Sequence, residues 1–473
     1  MKILLINPPR VAGYPVVREE RFEHKDFEMI LPPLSLLYSA AILRNAGHSV
    51  SLLDANGFNL SLERVYSEIK ANNPEIVITR TGFDTFEEDI KVLEIAKKRG
   101  ATTIVRNRII SCVPGIRDSI LKKFKFIDFF VNNELDLVIK DICRNIENNA
   151  KPQDVAFLEG EDVVVTPNTL LNIDLDSLPF PAYDLLQGFP YRTSMFSPVF
   201  THVISSRGCP YACSFCAYAK TIYRERSPKN VIEELKWLKK DFRLKSFVFF
   251  DDTISINSER VIAISRKMIQ ERLNLKFAVC TRVDLVTDEM LRWLRRAGCL
   301  GISFGIESGS QEILDRCGKG ITVADIIKAV MLSKKNGLKV TALIILGLPG
   351  ETRKTVFETI GLIEKINPYY CHYAMAVPFP NTEIYKYFSE NGLIISSDWK
   401  RYNPLQAQPV FRTKALDSKE LADFKIMAYK KFILRPGFII DKINIVDMLL
   451  CFKGIRMLAR RLISLFGKDK YIR

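Results

Sequence analysis

No uninterrupted run of about 18 apolar residues occurs in the 473-residue chain, which argues against a membrane-spanning helix. The apolar start, Met1 to Ile6, stops at Asn7-Pro8-Pro9 and is too short for the core of a secretory signal. There is no low-complexity stretch and no repeat at solenoid spacing. The ten cysteines follow no disulfide pattern, so a reducing cytoplasm is the expected compartment. Histidine is scarce too, four in all, and only His202 lies near the one place where cysteines gather.

What is present is an apolar content of 47%, enough for real cores, in a length that suits about three domains. Residues 1–150 alternate short apolar strands (3–7, 50–54, 76–79, 102–105, 127–131) with helical patterns (34–46, 62–72, 86–99, 116–124, 135–146). Five β–α units of this kind predict a doubly wound parallel sheet, with ligands beyond the carboxyl ends of its strands. The proline-rich stretch 178–184 marks a linker, assigned to 151–195. A second α/β region, 196–390, has strands at 199–205, 246–250, 276–281, 301–306 and 340–346 and a last one near Tyr373, with helix caps expected at Ser258 and Asp288. Six such units predict a partial (β/α)6 barrel, followed by a mainly helical C-terminal region, 391–473.

The net charge of +15 is uneven: residues 430–473 hold eleven Lys/Arg against Asp441, Asp447 and Asp469. At helical spacing, 453–466 sets Ile455, Leu458, Ala459, Leu462, Leu465 and Phe466 on one face and Lys453, Arg456 and Arg460 on the other, with Arg461 at the side. Two readings stand: a helix docked on the barrel with a solvated basic face, or an interfacial helix on an anionic membrane surface. Nucleic acid is disfavoured, because aromatic residues are sparse on this helix and no RNA-binding module accompanies it.

The densest chemistry is Arg207-Gly208-Cys209-Pro210-Tyr211-Ala212-Cys213-Ser214-Phe215-Cys216, a Cys-x3-Cys-x2-Cys spacing without a fourth ligand close by. A structural zinc site needs that fourth ligand, and His202 lies across a predicted strand. A cubane iron–sulfur cluster is usually held by four thiolates, so three leave one iron open.

The loop resembles the cluster loop of the radical S-adenosylmethionine (SAM) superfamily. The resemblance implies a 4Fe–4S cluster on Cys209, Cys213 and Cys216, with SAM chelating the open iron and yielding a 5′-deoxyadenosyl radical that abstracts hydrogen. It also implies a flavodoxin- or ferredoxin-type reductant. Phe215, just before the third cysteine, stands where an aromatic normally packs near the adenine. Asp251 and Asp252 end a strand where a carboxylate accepts from the SAM ammonium, though a turn pair explains them as well. Arg282 stands where an arginine faces the site to hold a carboxylate, with a surface ion pair as the duller reading. Gly305-Ile306-Glu307-Ser308-Gly309-Ser310 implies contacts from Glu307 and Ser308 to the nucleoside or amine, and Gly347-Leu348-Pro349-Gly350-Glu351 a turn lying along the adenine through Gly347 and Pro349. Cys317 and Cys371 read as hydrogen donors, auxiliary ligands or, more simply, buried thiols.

Val377-Pro378-Phe379-Pro380-Asn381-Thr382 and the N-terminal Asn7-Pro8-Pro9 and Pro32-Pro33-Leu34 resemble the branch of this superfamily that carries a cobalamin-binding domain. Cobalamin would lie against strand ends near residues 79–85 and the loop after Val105. Relatives commonly place Gly-Gly after the fourth strand and Gly-Glu after the fifth; this chain has Arg106-Asn107-Arg108 and Asn132-Asn133-Glu134. Cobalamin binding and a scaffold role for the domain both stand. The methylthiotransferase arrangement fails, since only Cys112 and Cys143 precede residue 200. The expected function is a cytoplasmic enzyme, with the inner membrane face as an attachment surface, that modifies a lipid or isoprenoid-like substrate by methyl transfer, ring formation or contraction, or carbon–carbon coupling. A peptide, natural product or tetrapyrrole substrate is the second reading, and an iron–sulfur carrier or sensor the third.

Overall fold

The computed structural model describes residues 1–435 apart from 21, 26–28, 170–172, 194, 197–198 and 407. The amphipathic helix expected at 453–466 lies outside the described residues.

In the first half, β1 (Lys2–Asn7) is followed by a hairpin, β2 (Val16–Glu19) and β3 (Phe22–Lys25), then by β4 (Ser49–Asp54), β5 (Ile76–Arg80), β6 (Thr102–Arg106), β7 (Phe129–Val131), β8 (Val155–Glu159) and β9 (Asp162–Val165). They form a sheet of order β4-β1-β5-β6-β7-β8-β9, parallel as far as β7 and antiparallel beyond it. The sheet therefore runs past residue 150, into the span read as a linker. Alternate residues of a strand face opposite layers. Leu4, Ile6, Val77 and Val105 join one core, while Ile3, Leu5, Ile76, Ile78 and Ile104 join the other. Burial on both faces explains why these strands read as continuous apolar runs.

Three details differ from expectation. The helix expected at 86–99 is split into Phe86–Asp89 and Lys91–Lys97, because Asp89 turns inward to accept hydrogen bonds from Gly82 N (2.8 Å), Thr85 Oγ1 (2.7 Å) and Arg18 (2.6 and 2.8 Å). A short helix, Arg108–Ser111, capped by the Asn107 side chain, precedes Pro114–Lys123. The hairpin β2–β3 was not expected at all.

The second half holds β10 (Phe200–Val203), the two-residue strands β11 (Ser206–Arg207) and β12 (Arg224–Glu225), and β13 (Ser246–Phe249), β14 (Lys276–Thr281), β15 (Cys299–Glu307), β16 (Lys339–Leu346) and β17 (Tyr370–Met375). β10 and β13 to β17 make a six-stranded parallel sheet in sequence order, the expected partial barrel. Helix caps fall one residue earlier than expected, at Asn257 and Thr287, whose side chains accept from Arg260 N and Met290 N. Helix Ser418–Ile433, with a capping box between Asp417 and Glu420, packs on the last strand, where Tyr429 Oη accepts from Tyr373 N (3.1 Å). Among the described residues no helix is long and apolar enough to cross a membrane.

The two halves meet along several seams, two of them on the β17 and β10 sides of the barrel. On the β17 side, Phe83 packs edge-on against Phe379, Trp399 and Tyr402, with ring centroids 5.4–6.2 Å away, and Asn403 Nδ2 donates to Asp84 (2.8 Å). On the β10 side, Arg207 bonds Asp136 through both of its terminal nitrogens (3.0 and 2.6 Å) and Glu134 at 2.9 Å, and Arg224 also reaches Glu134.

Candidate active site at the cysteine loop

The antiparallel pair β11–β12 clasps the ends of the loop 208–223. Gly208 has φ +87°, and a Cβ there would lie 2.1 Å from the carbonyl oxygen of Ile222, so the loop's two ends can meet only at glycine. Gly208 N donates to Asp252 (2.9 Å), Cys209 N to Thr221 Oγ1 (2.8 Å), Thr221 N to Cys209 O (2.9 Å) and Lys220 N to Tyr211 O (2.9 Å). Around the barrel rim, Ser214 N donates to Cys317 O (3.0 Å), Ile384 N to Ser214 O (3.1 Å) and Asn381 Nδ2 to Ala217 O (3.1 Å). A loop with its main chain committed in this way keeps its shape when its ligands are altered.

Cys213 is buried, and Cys209 and Cys216 are half-buried. Burial pushes the Cys213 thiol up and the Cys216 thiol up to about 12. Iron must therefore displace protons as it binds. Among the described residues no three Cys, His, Asp or Glu side chains converge on one point for a single ion. Zinc needs such a point, whereas a cubane sets each thiolate on its own iron.

Opposite the loop, the register of β15 against β16 slips between Gly305 and Glu307. Glu307 has φ +65°, a left-handed conformation that costs a residue with a side chain about 1–3 kcal/mol. The bulge turns its carboxylate onto Lys319 Nζ at 2.9 Å, in a pair whose side chains are 8% and 6% exposed. A Cβ on Gly305 would come within 2.5 Å of Glu307 Oε1 and 3.0 Å of Lys319 Nζ. Burial opposes the charge on Lys319, but Glu307 and Cys213 beside it more than offset that and hold its pKa above the usual range. Lys319 Nζ also stands 5.9 Å from the Phe215 ring centre.

Arg282 is buried with its guanidinium 3.8 Å from the Tyr211 ring centre and 4.0 Å from Cys213 Sγ. Both oxygens of Asp284 hold it at 3.0 Å, and it donates to Lys319 O at 2.8 Å. The carboxylate it grips is thus its own neighbour's, not one left open for a ligand. Arg282 and Lys319 together place two cations beside Cys213, where a thiolate-bound cluster concentrates negative charge.

The two strand-end aspartates part company. Asp251 is fully buried and accepts from Ser205 N (2.7 Å), Ser205 Oγ (2.5 Å) and Ser206 Oγ (2.8 Å), so it fastens β10 and does not face the site. Asp252, half-buried, sits at the mouth of the loop. Ser308 is buried too and bonds Thr359 Oγ1 (3.1 Å) behind the sheet. Cys317 and Cys371 are buried thiols, and Cys317 Sγ donates to Leu314 O (3.4 Å). His202 is buried beside Phe250 with neither ring nitrogen hydrogen-bonded, and burial pushes it down to about 3, so it is neutral.

In the turn after β16, Gly347 N donates to Glu351 Oε2, while Oε1 has no partner; Pro349 is half-buried. Burial raises Glu351 from its ordinary 4.5 to about 8. A carboxyl raised on folding lends stability that is complete below 4.5 and lost as pH climbs through about 8. Across that window Glu351 should add up to about 1.4 kcal/mol per pH unit to the fall in stability, and Glu351→Gln should make thermal melts less pH-dependent, leaving the share of Glu19 and Glu23, which burial raises to about 7. An equal slope in the variant would show that Glu351 contributes nothing to it.

The barrel strands also carry a two-residue alternation that the motifs do not contain. Along β14, β15, β16 and β17 fully buried residues alternate with half-exposed ones. The buried set, including Val340, Ala342, Ile344 and Leu346, packs under the helices. The half-exposed set, which includes Cys280, Ser303, Leu343, Ile345, His372 and Ala374, lies on the opposite, inner face of the strands, while Ala278 and Leu300 pack against the cluster of Tyr191, Phe196 and Phe200. Only period-2 alternation could have shown this from sequence. Lys319, the other missed residue, has no sequence signal beyond its place between Gly318 and Gly320.

The radical SAM superfamily profile matches residues 203–363. An uncharacterized methyltransferase of Pyrococcus horikoshii is 30% identical over 451 residues, which cover 94% of this chain and 95% of that protein. The chain belongs to the radical SAM superfamily. A further relative is the anaerobic magnesium-protoporphyrin IX monomethyl ester cyclase of Rubrivivax gelatinosus, 28% identical over 86% of this chain and 75% of its own. The hopanoid C-3 methylase of Methylococcus capsulatus is 24% identical over 79% of this chain and 71% of its own. Among solved structures, the cobalamin-dependent SAM radical enzyme OxsB, with aqua-cobalamin and SAM bound, superposes with a TM-score of 0.76 at 17% identity, covering 98% of this chain and 71% of that one. The likeness establishes the shared fold. This radical SAM protein is accordingly an enzyme of a group of methyltransferases and cyclases that use a 4Fe–4S cluster and SAM, and the carrier or sensor reading falls.

Proposed function

We propose that this radical SAM enzyme modifies an unactivated carbon of an extended apolar substrate of lipid or isoprenoid kind, by methyl transfer, ring formation or contraction, or carbon–carbon coupling. The observation that supports the reading is the inner face of the barrel, where Leu343, Ile345 and Ala374 offer apolar contact beside the polar Cys280, Ser303 and His372. When bound, the cluster and SAM supply one-electron cleavage of SAM and, through it, hydrogen abstraction from the substrate. The chain's own part is to hold the cluster on Cys209, Cys213 and Cys216 and to present Asp252 and Glu307 as acceptors for the SAM amine and hydroxyls. Phe215 offers a face for the adenine, and Arg282 and Lys319 balance charge. A small electron-transfer protein of flavodoxin or ferredoxin type serves as reductant.

Anaerobically reconstituted enzyme given SAM and reductant should release 5′-deoxyadenosine, and a perdeuterated polyisoprenoid or acyl lipid should pass deuterium into it. Cleavage without deuterium transfer from any lipid, but with transfer from a tetrapyrrole, would sink the lipid reading in favour of the second one, which the cyclase relative supports. The basic segment 436–473 would bring the enzyme to the inner face of an anionic membrane. Flotation on anionic liposomes should then fall when that segment is deleted, and equal flotation of both forms would end that part of the proposal.

A further inference from the structure

The place where a corrin would lie, beyond the ends of β5 and β6, is built over by the chain itself. In the hairpin β2–β3, Arg18 and Glu23 stand opposite one another. Arg18 crosses the end of β1, donating to Asn7 Oδ1 (3.0 Å) and to the carbonyls of Pro8 and Pro9 (3.0 Å each), and pairs with Asp89. Glu23 accepts from Arg80 at the end of β5 (2.8 Å) and from Arg108 N (2.9 Å). Glu20, at the hairpin's turn, bonds Arg80 and accepts twice from Arg106 at the end of β6 (3.1 Å each). Arg106 reaches on to Ser111 Oγ (2.6 Å) and Val131 O (3.1 Å), tying in β7. Arg80 and Arg106 are 1% and 2% exposed.

The other side of this layer meets the barrel half. Val17 packs in one core with Tyr191, Phe196 and Phe200, and Arg108 lies 4.9 Å from the ring centre of Tyr218 in the cysteine loop. Ion pairs thus run from the sheet ends into the hairpin, and Arg108, which pairs with Glu20 (3.7 Å), stacks in turn on Tyr218 of the loop. A corrin entering here would have to lift Glu20 and Glu23 away and leave two buried guanidiniums unpaired, the costly way to break such a network. Neither Arg106 nor Arg108 offers the bare backbone that close approach of a large ring requires. The residues do not fit the group.

We infer that this chain does not take cobalamin, although it shares the fold of cobalamin-dependent enzymes, and that hairpin β2–β3 fills the corrin's layer and joins the N-terminal sheet to the cysteine loop. The inference holds whatever the substrate. Corrin-borne methyl delivery is then closed to this enzyme.

The test uses the full-length, cluster-reconstituted chain and hydroxocobalamin, with OxsB as the positive control. After incubation and desalting, cobalamin absorbance should be absent from the chain and present on OxsB, and hydrogen exchange of Val16–Glu19 and Phe22–Lys25 should not change on adding hydroxocobalamin. Equimolar retention of cobalamin would overturn the inference, as would loss of protection in the two strands. Retention is read whether or not SAM is cleaved, so a failed cleavage assay counts against the proposed function alone.

Discussion

Cys213→Ala is expected to leave a folded chain that carries no stable iron–sulfur cluster and cleaves SAM only at background. The fold should survive because the loop is fastened by main-chain bonds, Thr221 N to Cys209 O, Cys216 N to Cys213 O and Ser214 N to Cys317 O, none of which uses a thiol. The cluster should not survive, because the loop supplies only three thiolates and losing one leaves two. Iron and sulfide content, visible absorbance and 5′-deoxyadenosine release measure the effect, with circular dichroism as the control for folding. A variant that kept both cluster and cleavage would remove Cys213 from the ligand set.

The second large effect is expected at Lys319. Lys319→Met keeps the length of the side chain but leaves the Glu307 carboxylate buried without its cation, at a residue already held in a left-handed conformation. Breaking a buried pair from one side costs about 3–5 kcal/mol, so the melting temperature should drop clearly. Adding Glu307→Gln should recover much of that loss, since a neutral pair no longer strands a charge. SAM affinity should not recover, because the negative charge at position 307 and the cation beside Cys213 are then both gone. Thermal unfolding and equilibrium dialysis with SAM read the two effects separately. If the double variant bound SAM as the parent does, the pair would be structural only.

Much of this was legible in the sequence, for reasons tied to particular residues. The β–α alternation stood out because strands buried on both faces, such as Ile3–Ile6 and Ile76–Ile78, cannot carry polar residues. The cysteine loop stood out because its chemistry is local. Asp251 and Asp252 could not be told apart, since which of two neighbours turns outward depends on Ser205 and Ser206, more than forty residues earlier. The hairpin hid for a similar reason. No motif or apolar run marks Val16–Glu19 and Phe22–Lys25, and their charges at Arg18 and Glu23 find their charged partners in Asp89 and Arg80, far along the chain. The departure at Arg106-Asn107-Arg108 was visible, but its meaning required the partners that the fold brings to it.

The seam of arginines and carboxylates between the N-terminal sheet and the cysteine loop has a thermal character of its own. Hydration of charged groups becomes less favourable on heating, so the penalty for keeping them dry shrinks as temperature rises, while apolar burial gains little more. Contacts such as Arg106 with Glu20 and Arg207 with Asp136 should therefore weaken less than the aromatic seam at Phe83 as the molecule warms. Being buried, they should also respond little to added salt. Heat would then loosen this enzyme first on the β17 side, and the loop that holds the cluster would be among the last parts to let go.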